Sequence, residues 1–258
     1  MDSTLLIPVV AFIASLLTLF CGFGLGTLML PVFAIFYPIE IAVALTAAVH
    51  FLNNLFKLSM LGKYMSIQVV LWFGIPSLAA SFFGALLLAR LSMIDVATFE
   101  LGVITLNIHP LKSTVGMLII IFALVEIWSI SGKKEKIKKM KLILGGLLSG
   151  FFGGLSGHQG ALRTTFIAPL GLTKEAFVAT GVVIACMVDI TRLAVYWPKF
   201  AEIRNELDIS IMTASVLAAF TGAYIGRKLL GKIELAWLMK LVAIMLVMFG
   251  VLMLIGVI

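Results

Sequence analysis

Residues 22–31, GFGLGTLMLP, and residues 153–169, GGLSGHQGALRTTFIAP, each place a cluster of glycines and then a proline inside a strongly apolar stretch. One stretch lies near the start of each half of the chain. In lipid, a broken helix leaves backbone N–H and C=O groups that protein, water or a ligand must satisfy, so breaks occur where they line a cavity or are buried in protein. Two matching breaks therefore predict a translocation site formed where they meet.

The composition places the chain in a membrane. Of its 258 residues, 62% are apolar and only 12% are charged, and the mean hydropathy is +1.19, whereas soluble domains are about a quarter charged. Several apolar stretches reach the roughly 20 residues that cross a hydrocarbon core. They cover residues 5–36, 39–61, 67–90, 112–131, 142–171, 173–197, 208–229 and 235–257. We therefore predict an all-α polytopic membrane protein.

The net charge of +7 is unevenly distributed along the chain. Six lysines lie in the segment KKEKIKKMK between Lys133 and Lys141. Lysine and arginine collect in loops on the cytoplasmic side of a membrane, where anionic lipid attracts them. We therefore predict that residues 132–141 form a cytoplasmic loop of a protein in the cell membrane. This distribution favours the lipid bilayer over nucleic acid as the partner of the basic residues.

Two alignments indicate an internal repeat. At an offset of 138, SLAASFFGALLLARL (77–91) overlays SVLAAFTGAYIGRKL (215–229). At an offset of 135, two polar residues of each half coincide: Asn54 and Lys57 overlay Asp189 and Arg192. Segments that recur in the same order indicate two tandem copies. We divide the chain into a first membrane repeat (1–131), the basic loop (132–141) and a second membrane repeat (142–258).

The basic residues also bear on the orientation of the repeats. If each broken segment folds back as a re-entrant element, twelve lysines and arginines share the side of the basic loop and four lie opposite. If each crosses fully, the tally is ten against six. The first arrangement obeys the positive-inside rule better, and it predicts inverted repeats with both termini outside. Each repeat then has one glycine-broken or re-entrant helix plus three transmembrane helices. Eight full spans, with the long segments tilted, are the alternative.

Polar residues at membrane depth are costly, so each of them is a candidate for function. The second element of the first repeat carries a stripe of such residues at helical spacing. The stripe consists of Thr46, His50, Asn53, Asn54 and Lys57. The matching helix of the second repeat carries Asp189 and Arg192 one turn apart. For Lys57 and Arg192 the alternative is that their side chains snorkel to the membrane surface. Asp189 and Arg192 could instead form a structural ion pair. His50 could make a hydrogen bond between helices, or it could carry a proton.

Arg163 lies in the second glycine break among side chains that can donate hydrogen bonds. These are Ser156, His158, Gln159, Thr164 and Thr165. Backbone N–H groups at the start of a half-helix, together with a guanidinium group, form a site for a planar or tetrahedral oxyanion. The sequence therefore predicts a small anionic substrate. A purely structural role, with Arg163 capping helix carbonyls or pairing with Asp189, is the alternative.

Other chemistry is missing from the sequence. It has no P-loop, no HExxH zinc spacing, no GxSxG nucleophile motif and no soluble domain for a nucleotide. We therefore predict no cofactor, no metal and no catalytic residues. An anion channel built from the same residues is the main alternative to a transporter. A membrane-embedded enzyme is less favoured, because His50, His158, Arg163 and Asp189 form no complete nucleophile or metal set.

The whole pattern resembles the sulfite/organosulfonate exporter (TauE/SafE) family. The shared features are a glycine-rich segment running into a proline, a helix of small residues with an Asn near its end, and a Gly-Ala helix, all repeated around a basic loop. The resemblance covers residues 12–91 and 142–257. It maps the family's glycine segments onto Gly22, Gly24, Gly26 and Pro31, and onto Gly154, Gly157, Gly160 and Pro169. Leu25 and Thr27 around Gly26, and His158 and Gln159 in the second segment, depart from the family pattern and bear on the substrate.

The resemblance implies secondary transport of a sulfur-containing or related organic anion across the cytoplasmic membrane. We expect alternating access around a site at the two breaks. Arg163 and the nearby hydroxyls would hold the anion, His50, Asn53 and Asn54 would complete the lining, and Lys57 and Arg192 would attract anions at the mouths. Export of an anion from a negative-inside cell gains about 2.3 kcal/mol per charge per 100 mV. Uptake would require a coupled proton, for which His50, His158 and Asp189 are candidates. The choice between monomer and homodimer stays open.

Overall fold

The computed structural model of the protein describes residues 3–21, 25–94, 97–101, 104–129, 138–202, 208–229 and 236–256. Ten main helices and one antiparallel β-hairpin account for most of these residues. The helices are α1 (Ser3–Cys21), α2 (Leu25–Phe36), α3 (Ile39–Leu61), α4 (Ile67–Leu91), α5 (Pro110–Ser129), α6 (Lys139–Ser156), α7 (Gly160–Ile167), α8 (Lys174–Glu202), α9 (Ile209–Leu229) and α10 (Ala236–Leu254). The strands are β1 (Ala97–Leu101) and β2 (Ile104–Ile108).

The helices have the length and surface of membrane spans. Four apolar segments are long enough to cross a bilayer: Ile39–Tyr64, Ile67–Leu91, Lys174–Pro198 and Ile209–Leu229. Four shorter apolar helices accompany them, namely Thr4–Thr18, Leu25–Phe36, Pro110–Val125 and Val242–Leu254. Large apolar side chains point outward from this bundle, and Ile209, Leu5 and Phe83 are 73%, 70% and 64% exposed. Such a surface is stable against lipid tails and not against water.

The second glycine segment folds back on itself. Helix α6 ends at Ser156, Gly157 adopts a left-handed conformation with a φ of +81°, and α7 begins at Gly160. Near the end of α7, the Phe166 ring occupies the space beside Gly145, close to the start of α6. Helix α7 therefore returns to the side of the bundle from which α6 began.

The first glycine segment joins two helices that pack against each other, α1 and α2. Helix α1 ends at Cys21 and α2 begins at Leu25, whose N–H donates to the Thr18 hydroxyl at 3.0 Å. The predicted break residues Gly22 and Gly24 lie outside the described residues. Pro31 is buried within α2 and does not end it. Helix α2 packs against both α1 and α3.

Close backbone contact joins α4 to α6. Gly146, Gly150 and Gly154 of α6 face the backbone carbonyls of Phe73, Ser77 and Ser81 of α4, and a Cβ atom at any of the three glycines would overlap the facing oxygen. Small residues permit this approach in membranes, where packing takes the place of a hydrophobic driving force. Gly154, a predicted break residue, thus lies inside a helix and serves helix packing.

Contacts at the helix ends define two faces of the bundle. On one face, the Lys139 ammonium lies 3.3 Å from the centre of the Trp72 ring, and the Ser66 N–H donates to the Thr180 hydroxyl at 2.9 Å. Here α3 ends and α4, α6 and α8 begin, so we call it the basic face, after Lys63, Lys139 and Lys174. On the opposite face, the start of α3 meets the ends of α4 and α8.

The connection at 91–111, for which the sequence predicted no structure, contains the β-hairpin. Its register pairs Ala97 with Ile108 and Leu101 with Ile104. The connection after α9, residues 230–235, lies outside the described residues.

Candidate functional site

The two glycine breaks meet around a buried cavity, which we call the central cavity. Its empty volume, which includes open solvent at its mouth, is about 520 Å³. Both breaks, α3 and α8 contribute to its walls. Its polar and charged lining side chains are Thr18, Thr27, His50, Asn54, Lys57, Gln159 and Arg163. Backbone at Gly26, Gly157, Gly160 and Gly181 completes the polar part of the wall.

Glycines bring the breaks into contact. A Cβ atom on Gly26 would lie 3.7 Å from the Gly157 carbonyl oxygen and 3.6 Å from Cδ2 of His50. The Ser149 hydroxyl donates to the Gln159 carbonyl at 3.0 Å and so satisfies part of the interrupted backbone. Gly26 of the first glycine segment and Gly157 of the second therefore lie close together in the cavity wall.

Arg163 is held by the neighbouring helix. Its side chain is buried, and Nη1 donates to the Gly181 carbonyl at 2.9 Å. A Cβ atom on Gly181 would lie only 3.1 Å from Nε of Arg163, so the missing side chain makes room for the guanidinium group. Arg163 thereby lies against α8 while lining the central cavity.

Lys57 is held by a network of three helices. The chain of hydrogen bonds is complete when the Asn53 amide is oriented with its oxygen toward Lys57, at 3.0 Å from Nζ. The amide nitrogen then donates to the Ala219 carbonyl at 3.1 Å and to the Ser15 hydroxyl at 3.0 Å. Asn53 therefore acts from behind the cavity wall, where it joins α1, α3 and α9 and positions Lys57.

His50, Asp189 and Arg192 form a buried cluster between α3 and α8. Nδ1 of His50 lies 2.6 Å from Oδ2 of Asp189, and Nη1 of Arg192 donates to Oδ1 at 3.2 Å. Nη2 of Arg192 reaches the Val43 carbonyl at 3.3 Å. The Arg192 guanidinium also lies against Gly157, where a Cβ atom would approach Nη2 to 3.0 Å. Asp189 and Arg192 therefore support the wall without lining the cavity, and the structural ion pair, which was the alternative to a binding role, is present.

The cluster separates the central cavity from a second pocket on the opposite face. One turn beyond Arg192, the Tyr196 hydroxyl donates to the Gly154 carbonyl at 3.1 Å. Tyr196 also lines the second pocket, whose empty volume, open solvent included, is about 730 Å³ and whose wall includes Glu40 and Ser92. The His50–Asp189–Arg192 cluster and Tyr196 thus lie between two open spaces.

Besides Asn53, Asp189 and Arg192, four further predicted site residues do not line the central cavity. Nδ1 of His158 lies 2.9 Å from the Ser156 carbonyl oxygen, and its ring stacks on Phe122 behind the break. The Ser156 hydroxyl donates to the Phe152 carbonyl. The Thr165 hydroxyl donates to the Ala161 carbonyl, and the buried Thr164 hydroxyl oxygen has no hydrogen-bond partner among the described residues. Direct roles for Ser156, His158, Thr164 and Thr165 in binding stay predictions. Pro169 lies in a short turn after α7.

Several lining residues were not expected from the sequence. Phe177, Val178 and Val182 form the apolar part of the wall on α8, and an apolar residue in a membrane helix carries no signal of its own. Gly181, by contrast, did carry a signal in the sequence. At the offset of 135 it overlays Thr46 of the polar stripe, so its lack of a side chain marked a position where the two repeats differ.

The described residues include no group of three His, Cys, Asp or Glu side chains that could hold a metal ion. Lys57 and Arg163 are the charged residues that line the cavity. Such a set is suited to binding an anion.

A polytopic helical bundle with a buried polar cavity defines an integral membrane protein. The model of the sulfite exporter TauE/SafE family matches residues 7–253, nearly the whole chain. The chain therefore belongs to this family of membrane exporters, and the resemblance seen in the sequence is confirmed. No curated protein and no solved structure matches the chain.

Proposed function

We propose that the protein is a secondary transporter that moves a small sulfur-containing or related organic anion across the cell membrane by alternating access. The observation that carries this proposal is the central cavity, where Lys57 and Arg163 meet the two glycine breaks. Among the described residues, no carboxylate lines this cavity. A cationic pocket in a low-dielectric bundle attracts an anion strongly, because charges interact more strongly there than in water.

Arg163 and the start of α7 form the anion site in this proposal. The first N–H groups of a helix have no partner within it, and the helix dipole adds positive potential at the same end. Gly160 begins α7 and lines the cavity beside Arg163. A tetrahedral or planar oxyanion would accept hydrogen bonds from this backbone and from the guanidinium fork.

We also propose that the fold consists of two inverted repeats. Matching contacts support this: Gly84 of α4 lies against the Phe151 carbonyl of α6, and Gly222 of α9 lies against the Phe12 carbonyl of α1. Gly84 and Gly222 overlay at the offset of 138. The return of α7 to the basic face supports a re-entrant element, which leaves three full crossings in a repeat. An odd number of crossings inverts the next repeat.

The cavity points to one side in this arrangement. It extends from Gly26 and Gly157 toward Lys57 and Phe177, near the end of α3 and the start of α8. The His50–Asp189–Arg192 cluster closes the other side. With the basic face cytoplasmic, as the positive-inside rule requires, this conformation opens to the cytoplasm and the termini lie outside. A path closed on one side favours a carrier over the anion channel, and a proton would be coupled only if the protein imports its substrate.

Counterflow of labelled sulfite or sulfoacetate in proteoliposomes tests the transport function. Arg163→Ala is expected to lower the rate at subsaturating substrate by about tenfold or more, because it removes a buried charged hydrogen-bond donor. Arg227→Ala is the matched control, since Arg227 is exposed on α9. Unchanged saturable counterflow by Arg163→Ala would refute the assigned role of Arg163. Flux without saturation, with currents too large for a carrier cycle, would establish a channel instead.

A further inference from the structure

A small pocket, which we call the side pocket, lies behind the wall of the central cavity. Its empty volume, open solvent included, is about 200 Å³. Phe122 of α5 and Leu246 of α10 form apolar parts of its wall, and its polar groups belong to Thr27, His158 and Gly160. Thr27 and Gly160 also line the central cavity. The two spaces therefore share one wall, formed by α2 and the start of α7.

His158 brings a hydrogen-bond acceptor to the side pocket. The residue is 2% exposed, and its Nδ1 lies 2.9 Å from the Ser156 carbonyl oxygen. A carbonyl only accepts, so Nδ1 carries the hydrogen, and Nε2 of the neutral ring then has a lone pair. Nε2 is buried and has no hydrogen-bond partner among the described residues. An unpaired buried acceptor costs free energy, which a ligand that donates a hydrogen bond would recover.

Gln159, the next residue, brings a second unpaired polar group to the same wall from the side of the central cavity. It is 2% exposed, and neither atom of its side-chain amide has a hydrogen-bond partner in the described part of the chain. An amide both donates and accepts, whereas an oxyanion only accepts. A hydroxyl group can do both. His158 and Gln159 together therefore favour a ligand that carries a hydroxyl group in addition to its anionic group.

An ammonium group would fit the side pocket less well than a hydroxyl group. No carboxylate lines this pocket among the described residues, and an ion buried without a counter-ion loses its hydration free energy without an equivalent return. The apolar wall at Phe122, Ala123 and Leu246 instead suits the carbon atoms that would carry the hydroxyl group.

We propose that the substrate is an oxyanion with a short carbon chain that ends in a hydroxyl group, and that this group occupies the side pocket and donates to His158. The inference rests on the proposed transport function and adds the uncharged end of the substrate. The anionic group remains in the central cavity beside Arg163. The carbon chain crosses the shared wall at Gly160, which has no side chain to block it.

Three sulfonates of equal chain length test the terminal group, each as a competitor of labelled sulfite or sulfoacetate counterflow in proteoliposomes. Propane-1-sulfonate ends in a methyl group, 2-hydroxyethanesulfonate in a hydroxyl group and 2-aminoethanesulfonate in an ammonium group. The hydroxyl compound should compete at about tenfold lower concentration than the methyl compound, because it pairs a buried acceptor that the methyl group leaves unpaired. The ammonium compound should compete no better than the methyl compound.

His158→Phe tests the acceptor. The variant keeps an aromatic ring against Phe122 and removes Nε2, so the tenfold preference for the hydroxyl compound should fall to about one. His109→Phe is the matched control, because His109 lines neither the central cavity nor the side pocket, and it should keep the preference. A preference that survives His158→Phe would overturn the role of His158.

Binding in detergent gives a readout that does not depend on transport by the variant. A ligand that binds the folded protein raises its unfolding temperature. At equal concentration, the hydroxyl compound should raise the unfolding temperature of the wild type more than the methyl compound does, and the difference should vanish in His158→Phe.

The outcomes separate this inference from the transport function. Equal competition, or none, by the three compounds with saturable sulfite counterflow intact would refute the hydroxyl subsite and leave the transport function standing. Strongest competition by the ammonium compound would refute the assignment of a hydroxyl group. Absence of saturable counterflow of sulfite and sulfoacetate would refute the transport function itself.

Discussion

Lys57 of α3 and Arg192 of α8 overlay at the sequence offset of 135, yet their surroundings differ. Lys57 lines the central cavity, with an Asn53 amide as its partner. Arg192 is engaged by Asp189 and by the Val43 carbonyl, and it lies outside the cavity lining. At the overlaid position three residues before each cation, α3 has Asn54 and α8 has the acid Asp189. An amide leaves its cation available to a ligand, and a carboxylate neutralises it.

The largest effect is expected from Asp189→Asn, which would remove this distinction. Arg192 would keep its charge in a site that is 1% exposed and would lose its counter-ion. Breaking a buried ion pair from one side costs about 3–5 kcal/mol. Thermal unfolding in detergent measures the loss. The double variant Asp189→Asn/Arg192→Met should recover most of it, and a single variant as stable as wild type would contradict the account of the cluster.

The next largest effect is expected at two glycine contacts between helices, one between α4 and α6 and one between α9 and α1. Alanine at Gly84 or at Gly222 would place a methyl group into the facing carbonyl of Phe151 or Phe12. Overpacking of this kind costs about 1–3 kcal/mol, and the two variants should lose similar stability by thermal unfolding. Gly62→Ala serves as the control, because its Cβ atom would meet only the flexible Leu58 side chain. A large loss at one glycine alone would argue against matched repeats.

Asn54→Asp would give α3 the acid that α8 already has. The new carboxylate would lie one turn from Lys57 and lower the positive charge of the cavity by one. Anion affinity is expected to fall about tenfold, or about 1.4 kcal/mol. The half-saturation concentration of counterflow measures this change. An unchanged value would show that the charge at Lys57 does not determine binding.

The smallest effects are expected at the two breaks. Gly157→Ala places a side chain at a φ of +81° and within 3.0 Å of the Arg192 guanidinium, and a left-handed alanine alone costs about 1 kcal/mol. At Gly26 a Cβ atom would meet its neighbours at 3.6 Å or more, which is ordinary contact. Gly26→Ala should therefore change the unfolding temperature less than Gly157→Ala does. The reverse order would show that the breaks are held differently from this description.

The sequence predicts local features of this protein well. The apolar stretch at 39–61 coincides with α3 (Ile39–Leu61), because its length and its boundaries at Pro38 and Gly62 are encoded locally. The second break falls within the predicted glycine segment for the same reason, since Gly157 adopts a conformation that other residues avoid. Membership of the polar stripe also follows from helical spacing alone.

Contacts between distant residues could not be predicted in this way. His50 and Asp189 are 139 positions apart, and no local pattern states that α3 and α8 lie side by side. Asn53 belongs to the same stripe as Asn54 but turns toward Ser15 and Ala219, because its rotation about the helix axis depends on neighbours. The apolar wall at Phe177 has the same origin. Packing between helices therefore decided which predicted residues reach the cavity.

The π-helical turn in α4 (Val70–Gly74) changes the direction in which the side chains after it point, relative to those before it. The Ile75 N–H bonds to the Val70 carbonyl, so the turn holds one residue more than an α-helical turn does. Each added residue rotates the helix before it by about 100° relative to the helix after it. Consecutive residues at this turn thereby serve different partners, since the Phe73 carbonyl faces α6 while Gly74 faces Met187 of α8. One extra residue therefore lets α4 contact both α6 and α8 at the same turn.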